Sequence, residues 1–122
     1  MKKIKKSVLF ICADQWRFDC FSFLNHESAL TPNLDKLAKK SVIFKSHFTG
    51  IVPCGPSRTT MLTGLYPFIH RSVYNGAPLD KRFTNIAKEA RKLDYNPSLY
   101  GYTDTSWDPR YLDPKDKKNF TY

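Results

Sequence analysis

Short apolar runs rich in β-branched and aromatic residues alternate along this chain with segments whose apolar residues recur at helical spacing. The first run, Ser7 to Ala13, is flanked by charge and is expected to be a buried parallel strand. Thr31-Pro32-Asn33 then supplies a turn and a helix start, after which Leu34, Leu37 and Ala38 place one apolar face on a helix. Val42-Ile43-Phe44 reads as a second strand, and Cys54-Gly55-Pro56-Ser57 as a turn opening onto a short helix that ends near Gly64. Thr84 is placed to cap a further helix with Ile86, Ala87, Ala90 and Leu93 on its buried face. Asp94-Tyr95-Asn96-Pro97 reads as a turn, Ser98 to Tyr102 as a third strand, and Trp107 to Tyr122 as irregular structure. The alternation predicts an α/β fold with a mostly parallel sheet flanked by helices. Polar groups beyond the carboxyl ends of such strands, Asp14 and Gln15 among them, are expected to converge at one edge of the sheet.

At 122 residues, 41% of them hydrophobic and 15% aromatic, the chain suits one globular domain or part of one rather than a disordered segment. No run approaches the length of a membrane span, so no membrane partner is expected. Lys2, Lys3, Lys5 and Lys6 precede the first apolar run as they would in a secretory signal. That run is short, however, and Asp14, Gln15 and Arg17 follow it without a cleavage pattern, so a cytoplasmic protein is expected. Cys12, Cys20 and Cys54 form neither a CxxC pair nor an even disulfide framework. The formal charge of +9 suits anionic partners, yet it is spread over 2–6, 36–40 and 115–118. With no zinc-finger, RRM or KH pattern beside it, nucleic acid is not expected as a partner.

The segment from Pro53 to Gly64, PCGPSRTTMLTG, carries the most chemistry. It sets a thiol at a helix start, where backbone N–H groups and the helix dipole favour an anion. Arg58 stands four residues on as a permanent positive charge. Two readings follow: a reactive thiol of lowered pKa, or a buried cysteine beside a proline-stabilised helix start.

The whole string resembles the sulfatase signature, Cys-x-Pro-x-Arg followed by small and apolar residues and Thr-Gly, which Cys54, Pro56, Arg58, Met61, Leu62, Thr63 and Gly64 all fit. The resemblance implies conversion of Cys54 to formylglycine by a formylglycine-generating enzyme, with Cys54 and Arg58 as catalytic residues. It also implies a divalent metal (manganese, zinc or calcium) activating one hydroxyl of the hydrated aldehyde. Asp14, after the first strand, fits an acidic metal ligand of the family. Gln15 stands where many sulfatases have a second Asp and keeps an oxygen donor without its charge. The metal set implied within this chain is therefore Asp14, Gln15 and the Cys54 product.

The Asp14-Gln15-Trp16-Arg17 string and Val52 to Pro56 are most similar to the phosphonate monoester hydrolase branch. So are Leu65-Tyr66, His70-Arg71, Asn75, Pro78-Leu79-Asp80, Gly101-Tyr102-Thr103 and Asp108-Pro109-Arg110. By that resemblance Asn75 and Tyr102 bind substrate by donating to phosphoryl oxygens, and Asp104 stands where a neutral hydroxyl residue is expected. His70, an acid–base candidate by its chemistry, is expected to be structural or to lie at the rim. The implied activity is hydrolysis of sulfate esters, phosphate diesters or phosphonate monoesters in a family that is often homo-oligomeric. The resemblance also implies that residues 1–122 are the N-terminal part of a sulfatase domain, whose remaining Asp-His ligands and leaving-group acid lie outside them. The competing expectation is a non-catalytic remnant in which the motif survives and the site is incomplete.

Overall fold

The computed structural model describes residues 6–107 together with Arg110 and Asp113. The basic positions Lys2, Lys3 and Lys5, the 115–118 run, Asp108-Pro109 and most of the segment expected to be irregular lie outside the described residues. The chain divides into two units, Met1–Ser46 and His47–Tyr122.

In the first unit a single 3-10 turn, Ser22–Leu24, packs on helix α1, Pro32–Ala38. Pro32 opens α1 where a missing N–H costs nothing, which is the start expected from the sequence. The tie between turn and helix is polar. The Ser22 hydroxyl lies 2.8 Å from each Asp35 carboxylate oxygen, and Ser22 and Thr31 exchange N–H to hydroxyl bonds of 3.0 and 2.9 Å. Trp16 stacks on Phe21 at 5.4 Å between ring centroids, and Phe21 meets Phe23 at 5.0 Å.

The second unit is built on α2, Cys54–Thr63, with α3, Pro67–His70, packed beside it and α4, Ile86–Lys92, further along the chain. Pro53 is the residue that caps α2, so Cys54 is its first helical residue rather than part of a preceding turn. Pro56 falls in the first turn, where the backbone N–H groups have no intrahelical acceptor to lose. Gly64 ends the helix in the left-handed conformation at φ 69°, with its N–H on the Thr60 carbonyl. At α4 the cap is Asn85, whose Oδ1 accepts from Lys88 N–H at 2.9 Å. The expected cap, Thr84, instead gives its hydroxyl to Glu89.

The interior of this unit is mostly polar. Among the described residues Thr59, Ser72, Asn85 and Thr105 are buried almost completely, together with the apolar Pro56, Ala77 and Leu79. Thr59 Oγ1 bonds the Gly55 carbonyl at 3.1 Å and approaches Ser72 Oγ at 3.4 Å. The Ser72 hydroxyl donates to Ala77 O at 3.1 Å, and Leu79 N–H to Thr105 O at 2.9 Å. Such a centre holds only when its polar groups are paired. No buried side-chain nitrogen or oxygen among the described residues is left without a partner.

The expected strands at 7–13, 42–44 and 98–102 are not strands, and the described residues contain none. A strand exists through its neighbours, which accept its N–H groups and cover its side chains. Here Val8, Leu9 and Ile11 are 83%, 84% and 78% exposed, and Phe44 and Tyr100 are similarly bare. Among the described residues no backbone ladder joins these runs, so the β-propensity in them goes unused. No helix among the described residues is long and apolar enough to cross a membrane.

Candidate active site

The first residues of α2 collect side chains from two distant loops. Gly55 N–H, one of the helix's orphan donors, is bonded at 2.8 Å by Asn75 Oδ1, twenty residues away. That bond fixes which way the Asn75 amide faces. Its oxygen is committed to the helix and its NH2 group carries the remaining donors.

Contact at Gly55 is so close that a Cβ there would stand 3.1 Å from Asn75 Oδ1, 3.2 Å from Asn75 Cα and 2.8 Å from Asp104 Oδ2. A glycine is therefore required for the approach itself rather than for backbone freedom. From one turn further along α2, Arg58 donates its Nε–H to the Thr103 carbonyl at 2.8 Å. Its Nη2 lies 3.6 Å from Asp104 Oδ2, and its guanidinium carbon 4.9 Å from the centroid of the Tyr102 ring. The Arg58 side chain is only 11% exposed. Cys54 is half-buried, whereas Asn75 and Tyr102 are exposed, so the constellation opens to solvent on their side.

Sequence reasoning named Cys54, Arg58, Asn75 and Tyr102, and the structure brings all four to the start of α2. It did not anticipate the bracing of Arg58 by Thr103 or the seating of Asp104 between Arg58 and the Gly76 N–H, which donates to Asp104 Oδ2 at 2.9 Å. The departure at Asp104 was the available signal, since a carboxylate near a signature arginine invites a pair.

His70 is buried with Nδ1 accepting the Ser72 N–H at 3.1 Å, so the neutral ring carries its proton on Nε2 and gives it to Thr60 Oγ1 at 3.0 Å. Burial holds its pKa below the ordinary histidine value. Nε2 ties α3 to α2 and Nδ1 holds the segment that follows α3, in keeping with the structural role expected for this residue.

Asp14 and Gln15 form an exposed turn in the first unit, with Gln15 at φ 56°. Their oxygens are of the kind a hard divalent cation takes. Yet no group of three or more metal-capable His, Cys, Asp or Glu side chains occurs among the described residues. The donors suit the ion in kind and fall short of it in number.

The sulfatase family model matches residues 6–122, nearly the whole chain. The chain belongs to the sulfatase family. Sulfatase-family relatives include a multifunctional alkaline phosphatase superfamily protein, PehA, of Trinickia caryophylli. It is 45% identical over 119 residues, which are 93% of this chain and 23% of that protein. Human N-sulphoglucosamine sulphohydrolase is 33% identical over 72% of this chain and 17% of its own length. Among solved structures, the phosphonate monoester hydrolase of Agrobacterium radiobacter superposes with a TM-score of 0.74 at 53% identity, covering 87% of this chain and 21% of that one. The phosphonate monoester hydrolase of Silicibacter pomeroyi gives 0.78 at 48% identity over 93% and 22%. The chain thus spans about a fifth of the length of these family members.

Proposed function

We propose that this chain carries the nucleophile and oxyanion-binding part of a hydrolase for sulfate esters, phosphate diesters or phosphonate monoesters, with Cys54 as the precursor of a formylglycine. The observation that carries the reading is the gathering of Arg58, Asn75 and Tyr102 at the start of the helix that begins with Cys54. Arg58 offers a permanent charge, the Asn75 NH2 group and the Tyr102 hydroxyl offer donors, and the α2 dipole points its positive end the same way.

In the proposed reaction one oxygen of the hydrated aldehyde attacks sulfur or phosphorus, and the bond to the ester oxygen breaks. The alcohol leaves with a proton. The second hydroxyl of the diol then loses its proton and the aldehyde C=O re-forms, breaking the carbon–oxygen bond to the sulfate or phosphonate group and releasing it. A divalent ion, when bound, supplies positive charge that favours the deprotonated nucleophile. Asp14 is its carboxylate ligand in this reading, Gln15 a neutral neighbour, and the Cys54-derived oxygen the third donor. In this reading an Asp-His pair outside the described residues completes the shell, and a separate acid, also outside them, supplies the proton for the leaving group. The complete fold is an α/β domain with a mostly parallel sheet, and residues 1–122 by themselves are not turnover-competent.

Two measurements test this. Co-expression with a formylglycine-generating enzyme should convert Cys54, and neither Cys12 nor Cys20, as read by peptide mass spectrometry. Exchange of this chain for the matching fifth of the Agrobacterium radiobacter phosphonate monoester hydrolase should then give a chimera that turns over its ester, and Cys54→Ala should abolish that turnover. A folded chimera with converted Cys54 and no turnover would overturn the reading.

A further inference from the structure

Asp104 sits inside the constellation rather than at its edge. Its Oδ2 accepts the Gly76 N–H at 2.9 Å, lies 3.6 Å from Arg58 Nη2, and stands 2.8 Å from where a Cβ on Gly55 would be, one residue from Cys54. The carboxylate is 29% exposed, so it shares the solvent-facing side of the constellation with Asn75 and Tyr102. Its backbone holds φ 63°, a conformation Asp tolerates better than most residues, and that holds the side chain over the start of α2.

In the set of groups that face an incoming ester, Asn75 and Tyr102 are neutral. Arg58 brings one positive charge and Asp104 one negative charge. We propose that Asp104 is a specificity-determining residue: by offsetting Arg58 it selects esters with one negative charge over phosphate monoesters with two. Sulfate monoesters, phosphate diesters and phosphonate monoesters belong to the favoured class. The inference rests on the oxyanion-pocket reading above and adds which anions the pocket takes.

The physical argument is a comparison of two ligands in one site. A singly charged ester meets Arg58, the donors and the helix dipole, and its charge is matched. A second charge on the same phosphorus finds no further cation among these residues and meets the Asp104 carboxylate, and like charges at such range disfavour each other. Because Arg58 also donates to Thr103 O and packs on Tyr102, it stays anchored when Asp104 is made neutral. The pocket then keeps its cation and loses its anion.

The test uses the Cys54→Ala form of the chimera described above, which does not turn over its probes, at about pH 8, where methyl phosphate carries close to two charges. Methyl sulfate, dimethyl phosphate and methyl phosphate are titrated while the Gly55 and Gly76 amides and the Arg58 Nε–H are followed by NMR. Wild type should bind the two singly charged probes more tightly than methyl phosphate. Asp104→Asn, which keeps an oxygen for Gly76 N–H, should shift the ratio toward methyl phosphate by about tenfold, the scale of one nearby charge. Asp104→Gly, which suits φ 63° and removes the charge, serves if the Asn variant does not fold, and Asp104→Glu should retain the wild-type preference. Binding of all three probes with a ratio that neither neutral variant moves would overturn the inference and leave the pocket standing. Failure of wild type and variants to bind any of the three would remove the pocket reading, and this inference with it.

Discussion

Gly55 is the residue on which the candidate site closes, because the atoms a Cβ would strike include the Asn75 backbone, which cannot swing aside. Gly55→Ala is expected to cost about 1–3 kcal/mol, the range for forcing an extra carbon into filled space. It should also free the Gly55 amide from Asn75, seen as a lower urea midpoint and faster exchange of that amide. His70 gives a second prediction at this scale. The unfolded chain takes up a proton that the buried ring refuses, so the associated stability is whole above about pH 6.5 and is lost as pH falls toward the lowered folded value. The urea midpoint should drop across that window in wild type and stay flatter in His70→Asn. The lowered carboxylate values of Asp19 and Glu89 act only further into acid. Of the site, the residues of the Cys54–Gly64 string were readable because their spacing is local. The partners of Arg58 were not, because Thr103 lies 45 residues away and nothing in the sequence joins the two.

Helices were legible where they satisfy their own backbone. Pro32 and the 34, 37, 38 spacing announced α1, and Gly64 announced the end of α2. The cap of α4 was misread by one residue, since Thr84 and Asn85 are both capping types and the choice turned on which side chain reached Lys88 N–H. Asn85→Ala should therefore reduce helix content and stability by about 0.5–2 kcal/mol, and Thr84→Ala by clearly less, as judged by circular dichroism through urea titration. The strand expectations failed for the opposite reason. Apolar runs such as 7–13 report what a segment could become beside a partner, and sequence alone carries no statement that the partner is at hand. Four-residue α3 escaped the reading altogether, as it is too short to show a period.

At the scale of the molecule, large apolar side chains including Leu9, Phe10, Phe44, Phe68 and Tyr100 lie open to solvent. Surfaces of this kind associate. The 122-residue chain alone should bind a hydrophobic dye, sediment as more than a monomer at micromolar concentration, and show negligible turnover of aryl sulfates, phosphate diesters and phosphonate monoesters. A well-dispersed monomer with metal-dependent turnover would contradict this.

The bond from Asn75 to Gly55 also ties folding to recognition. Ten residues are too few for a helix to persist by itself in water, so α2 leans on the distant side chain that holds its first turn. Under the proposed reading, an oxyanion gripped by that same amide would add binding energy to the helix, and the linkage would be reciprocal. Loosening α2 at its far end, with Gly64→Ala forced into the left-handed conformation at φ 69°, should weaken anion binding through a residue that touches no ligand. If the proposed site grips an anion, what the anion adds to the helix and what an intact helix adds to anion binding are one coupling free energy, measured from two ends.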